Sequence, residues 1–349
     1  MYRALRPLLF RLDPERAHAL TLAALRLPFA EVVLRSLFEV NDARLEVDAF
    51  GLRFRNPVGL AAGYDKNGVA VNGLAALGFG HIEVGTVTLL PQPGNPRPRV
   101  HRVPEARALV NAMGFPNDGV EALMVESRKW KAGRLSTHSF LRIGVNIGKG
   151  RDTPLERAAE DYCALLERVH ERADYVALNL SSPNTPGLRQ LQQRTFLEDL
   201  LRAVAAVRDR LPGKLGLQRV PLLVKLAPDL TEAELDDALA AATACGMDGL
   251  IATNTTLSRD GLPARAQSLP GGLSGEPLRA RATAVIRYLA RRTDLPIIGV
   301  GGILCADDAL EKLDAGATLV QIYTGLVYAG PGLVASINRH LLRRVERGA

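Results

Sequence analysis

Eight short apolar runs, separated by amphipathic helical patterns, restrict this chain more than any other feature. They are Val58–Ala62, His81–Gly85, Leu141–Val145, Tyr175–Leu178, Leu222–Ala227, Gly249–Thr253, Pro296–Val300 and Leu319–Tyr323. Each is the length of a buried strand, and helical periodicity fills the gaps, as at Pro154–Arg172, Thr195–Leu211, Thr231–Cys245 and Pro277–Arg292. Strands that alternate with helices predict parallel βαβ units. Eight such units suit an α/β fold closed into a (β/α)₈ TIM barrel better than the runner-up, a doubly wound open sheet. A chain of 349 residues, 47% hydrophobic and 23% charged, has the composition of a globular protein of that size.

Residues 1–40 stand apart from this alternation and read as an N-terminal helical hairpin; residues 41–349 read as the barrel. Leu5, Leu8, Leu9 and Leu12 share one helical face. Asp13 can cap a second helix that has Pro14 at its first position and runs on through Val32, Val33, Leu37 and Phe38. The longest uncharged stretch, Ala17–Leu25, is too short to span a bilayer, and no signal-peptide core is present. Six Arg against four acidic residues beside an apolar face suit a monotopic contact with an anionic membrane. A hairpin packed on the barrel fits the same pattern. The segment Leu45–Phe54 reads as a β-hairpin turning at Phe50-Gly51.

The net charge of +7 could suggest nucleic acid, but the basic residues are dispersed and never form a run of five. The cysteines, Cys163, Cys245 and Cys305, and the six scattered histidines lack metal-ligand spacing, so no metal is expected.

Barrels of this kind carry their chemistry at the C-terminal ends of the strands. Those positions hold Gly63-Tyr64-Asp65-Lys66, Thr86, Asn146, Asn179-Leu-Ser-Ser-Pro-Asn-Thr-Pro-Gly187, Thr253-Asn254-Thr255, Gly301-Gly302 and Tyr323-Thr324. Any one of them could be a cap or a turn, but their concentration at nearly every strand end points to a site. Lys225, inside the apolar fifth run, is expected to meet an anionic ligand, since lysine is almost never buried alone. Glycines after the seventh run, a further glycine loop at Gly271–Gly275, and Tyr323-Thr324 fit a phosphate site. A planar phosphate-bearing cofactor such as FMN would use both ends of such a cleft, with Lys225 beside the ring edge that gathers charge on reduction. Asn111, Asn179, Asn184 and Asn254 suit a small ring with adjacent C=O and N–H groups.

Taken together, Asn56-Pro57, Ala61–Lys66, Pro91–Asn95, Asn111–Phe115, Asn146–Lys149, Asn179–Gly187, Lys225–Asp229, Ala252–Thr256, Gly271–Gly275 and Gly299–Gly302 resemble dihydroorotate dehydrogenases of the quinone-dependent, membrane-associated class 2. The resemblance runs nearly end to end, from Leu12-Asp13-Pro14-Glu15-Arg16-Ala17-His18 to Pro331. It implies oxidation of (S)-dihydroorotate to orotate with FMN and a membrane quinone. FMN contacts would be Ala62, Gly63, Lys66, Thr86, Asn146, Asn179, Lys225, Thr253, Gly275, Gly302, Tyr323 and Thr324. Substrate contacts would be Lys66, Asn111, Met113, Gly114, Phe115, Asn179, Asn184, Asn254 and Thr255. Ser182 matches the catalytic base, where class 1 enzymes place cysteine. His18 and Arg102 match a quinone tunnel under the N-terminal helices.

The same resemblance implies a monomer, peripheral on the cytoplasmic side of the cell membrane, with no nucleic-acid partner. Two positions depart from the family pattern: Ala112 stands where arginine is common, and Tyr64 where leucine is common. Fumarate or NAD as acceptor, or a non-catalytic barrel binding a phosphorylated ligand, are the alternatives. A dihydrouridine-synthase-like flavin barrel would want a cysteine in the fourth loop and a separate RNA-binding domain.

Overall fold

The computed structural model describes residues 2–133, 141–213 and 217–348. Eight parallel strands close a barrel: Val58–Leu60, His81–Val87, Arg142–Ile147, Tyr175–Asn179, Leu222–Leu226, Gly249–Ala252, Ile297–Val300 and Leu319–Ile322. The last pairs with the first, Val320 opposite Val58 and Ile322 opposite Leu60. These segments are apolar on both faces because one face fills the barrel and the other meets the helices, the pattern of a doubly covered parallel sheet. The fold expectation therefore holds.

Glycine makes room inside the barrel. A Cβ on Gly59 would meet the His81 ring at 2.0 Å, and one on Gly144 would meet the Tyr175 ring at 2.2 Å. The expected hairpin, Val47–Ala49 paired with Leu52–Phe54, plugs the bottom. Phe54 stands edge-on to His81 at 5.5 Å, and Phe50 packs on Tyr175 at 6.4 Å. Burying each phenyl ring contributes about 1.5–3 kcal/mol, which anchors the hairpin to the barrel.

Two features differ from the sequence reading. The long second N-terminal helix is two helices, α2 (Pro14–Leu25) and α3 (Ala30–Phe38), following α1 (Tyr2–Arg11) and bent 97° apart. Pro28 disfavours a helical residue before it, and Phe29 takes a left-handed φ of 67°. The expected glycine loop at Gly271–Gly275 is largely a strand: Gly272–Gly275 lies antiparallel to Ala108–Asn111, which pairs with Val100–Val103. This three-stranded sheet stands over the barrel mouth.

The N-terminal helices pack on the barrel through Leu22, Leu25, Leu34 and Phe38. They nevertheless leave Leu5, Leu8, Leu20, Leu27, Phe29, Val32, Val33 and Leu37 exposed, Phe29 at 81%. The packed hairpin of the sequence reading is therefore present, with an apolar face left exposed. Among the described residues, no single helix is long and apolar enough to cross a membrane.

Candidate active site

The C-terminal strand ends and the sheet above them enclose a cleft of about 990 Å³, counted out to its open mouth. Every position expected to touch cofactor or substrate lines it, except Asn146, which lies fully buried beneath. Ser182 lines it too. His18 and Arg102 do not: His18 is on α2 and Arg102 on the strand Val100–Val103. His18 stands edge-on to Tyr64 at 4.9 Å, and Tyr64 reaches the cleft-lining Tyr323 at 5.5 Å. Burial and the nearby Lys66 charge lower the His18 pKa to about 4, so it is neutral at ordinary pH. Arg102 lies over the Phe10 ring at 4.9 Å and donates to the Leu12 carbonyl at 2.7 Å.

The floor is a relay of amides. Asn146 Nδ2 donates to Glu83 Oε1 at 2.8 Å, and Asn146 Oδ1 accepts from Thr86 Oγ1 at 2.5 Å and Asn179 Nδ2 at 3.2 Å. Asn179 Oδ1 then accepts from Asn254 Nδ2 at 3.2 Å. On the opposite wall, Asn184 Nδ2 donates to Asn111 Oδ1 at 3.0 Å. Lys225 does not await an outside anion, as its sequence context suggested. Its ammonium lies 3.3 Å from Glu83, which is itself wholly buried. Lys66 donates to the Gly63 carbonyl at 2.7 Å, and burial, reinforced by Arg99, pulls its pKa down to about 8.

Ser182 is held in a loop pinned from several sides. The Tyr162 hydroxyl donates to the Asn179 carbonyl at 2.8 Å. Arg189 donates to the carbonyls of Ser181 at 3.0 Å and Thr255 at 2.8 Å, and pairs with Asp229 at 2.6 Å. The Asn184 N–H donates to Ser182 Oγ at 3.3 Å. Phe115, across the cleft, keeps a left-handed φ of 52°, a strained conformation for an aromatic residue and one that clusters at functional sites.

The far end of the cleft is open to a bulky anion. Gly275, Gly301 and Gly302 have φ of 101°, 120° and 76°, and the Ser274 and Thr324 hydroxyls meet there at 2.8 Å. Two buried oxygens on the cleft wall, Asn184 Oδ1 and Gln321 Oε1, have no hydrogen-bond partner. Such orphans cost about 1–3 kcal/mol each, and a ligand with N–H groups in the cleft would satisfy them. Glycines at one end and amides with an ammonium at the other fit a planar ring carrying a phosphate.

Sequence reasoning missed Glu83, Gln321, Ser274 and Arg189. A glutamate inside the apolar run His81–Gly85 was the available signal, the same one that singled out Lys225.

A barrel whose mouth holds a serine loop, an amide relay and a glycine-lined end defines a TIM-barrel enzyme acting on a small planar substrate. The sequence model of the family described as dihydroorotate dehydrogenase matches residues 44–345. The chain is 50% identical to the dihydroorotate dehydrogenase (quinone) of Roseiflexus sp. (strain RS-1), covering 99% of this chain and 95% of the relative. It is 47% identical to the enzyme of that name from Christiangramia forsetii, covering 99% of each. The crystal structure of DHODH from Eimeria tenella in complex with ferulenol superposes with a TM-score of 0.88 at 37% identity, covering 96% of this chain and 92% of that one. The chain belongs to the dihydroorotate dehydrogenase family.

Proposed function

We infer that this chain oxidises (S)-dihydroorotate to orotate and passes the electrons to a quinone, the fourth step of de novo pyrimidine synthesis. The observation that carries the reading is identity near 50% over nearly full length to enzymes of that name, joined to a cleft lined by the residues that chemistry needs.

FMN, in this reading, supplies the hydride acceptor. Ala62, Gly63, Thr86, Asn146, Asn179, Lys225 and Thr253 would hold its ring, and Gly275, Gly302, Tyr323 and Thr324 its phosphate end. The Lys66 ammonium would bind the substrate carboxylate. Asn111, Asn179, Asn184, Asn254 and Thr255 would hold the pyrimidine ring, with Met113, Gly114 and Phe115 as its wall. Such fixation converts a bimolecular encounter into an oriented one.

Ser182 Oγ takes the proton from substrate C5. Serine is a weak base unaided, and the Asn184 N–H aimed at its oxygen favours the deprotonated form that can accept the substrate proton as the hydroxyl proton leaves. Thr185, whose buried hydroxyl has no partner in the same loop, is suited to carry the proton outward. Ser182→Ala should slow flavin reduction by dihydroorotate by ~10²–10⁴-fold while flavin stays bound. Near-normal reduction in stopped flow would remove Ser182 from the role.

Residues 1–40 act as a membrane and quinone-access unit, and residues 41–349 as the catalytic barrel. The exposed apolar face of α1 to α3, with Arg11 and Arg26 exposed beside it, supports a peripheral seat on an anionic membrane surface; a monomer on the cytoplasmic side follows from the family resemblance alone. His18 and Arg102 would line the quinone path, which the edge contacts through Tyr64 to Tyr323 support.

A further inference from the structure

Glu83 is wholly buried at the barrel centre, and four side chains from four other strands converge on its carboxylate. Oε1 accepts from Asn146 Nδ2 at 2.8 Å and faces Lys225 Nζ at 3.3 Å. Oε2 accepts from Gln321 Nε2 at 2.8 Å and the Tyr175 hydroxyl at 3.3 Å. A carboxylate can only accept, so each neighbour must turn a donor inward.

That requirement propagates. With its amide nitrogen committed to Glu83, Asn146 must offer its oxygen to Thr86 and Asn179. Asn179 in turn spends its nitrogen there and offers its oxygen to Asn254. Gln321 likewise spends its nitrogen on Glu83 and leaves Oε1 free at the cleft wall. His81 adds no cation beneath, because burial lowers its pKa to about 4. Lys225 is thus the cation that Glu83 balances. A buried ion pair is not the cheapest way to fill a barrel, since apolar side chains of equal volume often give equal or greater stability.

We propose that Glu83 is a positioning residue for the reaction: it fixes the donor and acceptor sense of the amide relay and pairs with Lys225, so that the cleft floor presents a net-neutral, oriented ion pair rather than a free cation to the bound ring. The proposal rests on the reading of this cleft as a flavin site. Losing the Glu83 charge would leave Lys225 unbalanced beside a ring that gains negative charge on reduction, and would favour the reduced form.

The test is the flavin midpoint potential of the holoprotein, measured by dye equilibration at one fixed pH throughout. The series is wild type, Glu83→Gln, Lys225→Met and the double variant. Glu83→Gln should favour reduction by at least about tenfold, or roughly 30 mV for a two-electron couple. In the Lys225→Met background the wholly buried Glu83 has lost its counter-ion and is driven to its neutral acid, so the same change should lose most of that effect. An unchanged potential in Glu83→Gln, or an equal shift in both backgrounds, would overturn the proposal. Tyr175→Phe removes one hydrogen bond to Glu83 without altering charge, and should lower thermal stability while leaving the potential in place. A potential shift there as large as in Glu83→Gln would also count against it. Should Glu83→Gln fail to fold, Glu83→Asp keeps the charge but withdraws it from Lys225, so a smaller shift in the same positive direction is expected, and no shift there would overturn the proposal. A purified protein without flavin absorbance would instead remove the underlying reading of the cleft.

Discussion

Lys66 gives a direct test of how the cleft grips its substrate. Its ammonium lines the mouth, donating to the Gly63 carbonyl, with a pKa pulled down to about 8 by burial and by Arg99. If it holds the substrate carboxylate, only the protonated enzyme binds well. Raising the pH strips that proton from the free enzyme, so affinity must fall as pH rises through the pKa. The protonated fraction drops from about nine-tenths at about pH 7 to about one-tenth at about pH 9, which weakens binding roughly tenfold. Each further unit costs about 1.4 kcal/mol more. Orotate is the better probe than dihydroorotate, because a product undergoes no chemistry and its dissociation constant is free of Ser182 ionisation. Titration into the oxidised holoprotein, followed by the perturbation of flavin absorbance, reads it directly. Lys66→Arg keeps its charge over the whole range and should flatten the profile whatever its absolute affinity. A wild-type profile that stays level to about pH 10, or one equally steep in Lys66→Arg, would refute the assignment.

Three other perturbations probe different parts of the molecule. Arg189→Ala removes the fork that ties the Ser182 loop to the loops carrying Asp229 and Thr255, and should lower the rate of flavin reduction by about tenfold or more with flavin content unchanged; single-turnover kinetics separate this from a binding defect. Gly302→Ala places a Cβ 2.5 Å from Arg279 Cα at a φ of 76°, so it should cost about 1–3 kcal/mol and release cofactor, read by thermal melting and flavin content. Phe29→Glu/Val32→Glu puts two carboxylates on the exposed apolar face and should weaken sedimentation with anionic vesicles by at least about tenfold, while flavin reduction by dihydroorotate stays normal.

What the sequence made legible follows from how local each signal is. The eight strands could be read because both faces of each are buried, which leaves continuous apolar runs. Ser182, Asn184 and Asn254 stood out because polar groups cluster where such runs end. The strand Gly272–Gly275 could not be read, because its partner, Ala108–Asn111, lies far away in the chain and glycine carries no strand preference. Arg189 was silent for the same reason: its three partners belong to loops after three different strands. The break between α2 and α3 was in principle visible at Pro28, but the continuing apolar pattern masked it. Lys225 was recognised as anomalous, yet its partner Glu83 lies 142 positions away. The ammonium's need for an anion was therefore clear, while the source of that anion was not.

Glu15, in the first turn of α2, gives the N-terminal helices a reach that their packing does not suggest. Its carboxylate pairs with Arg99 at 2.9 Å, and Arg99 donates to the carbonyls of Pro93 and Asn95. Asn95 Nδ2 in turn donates to the carbonyls of Ala112 and Asn184. Three links thus run from a helix that faces outward to the residue that steadies the proton-abstracting serine. The helical cap and the reaction chamber are therefore joined by polar contacts as well as by apolar packing. A single glutamate thus joins the outward-facing helix to the wall of the chamber.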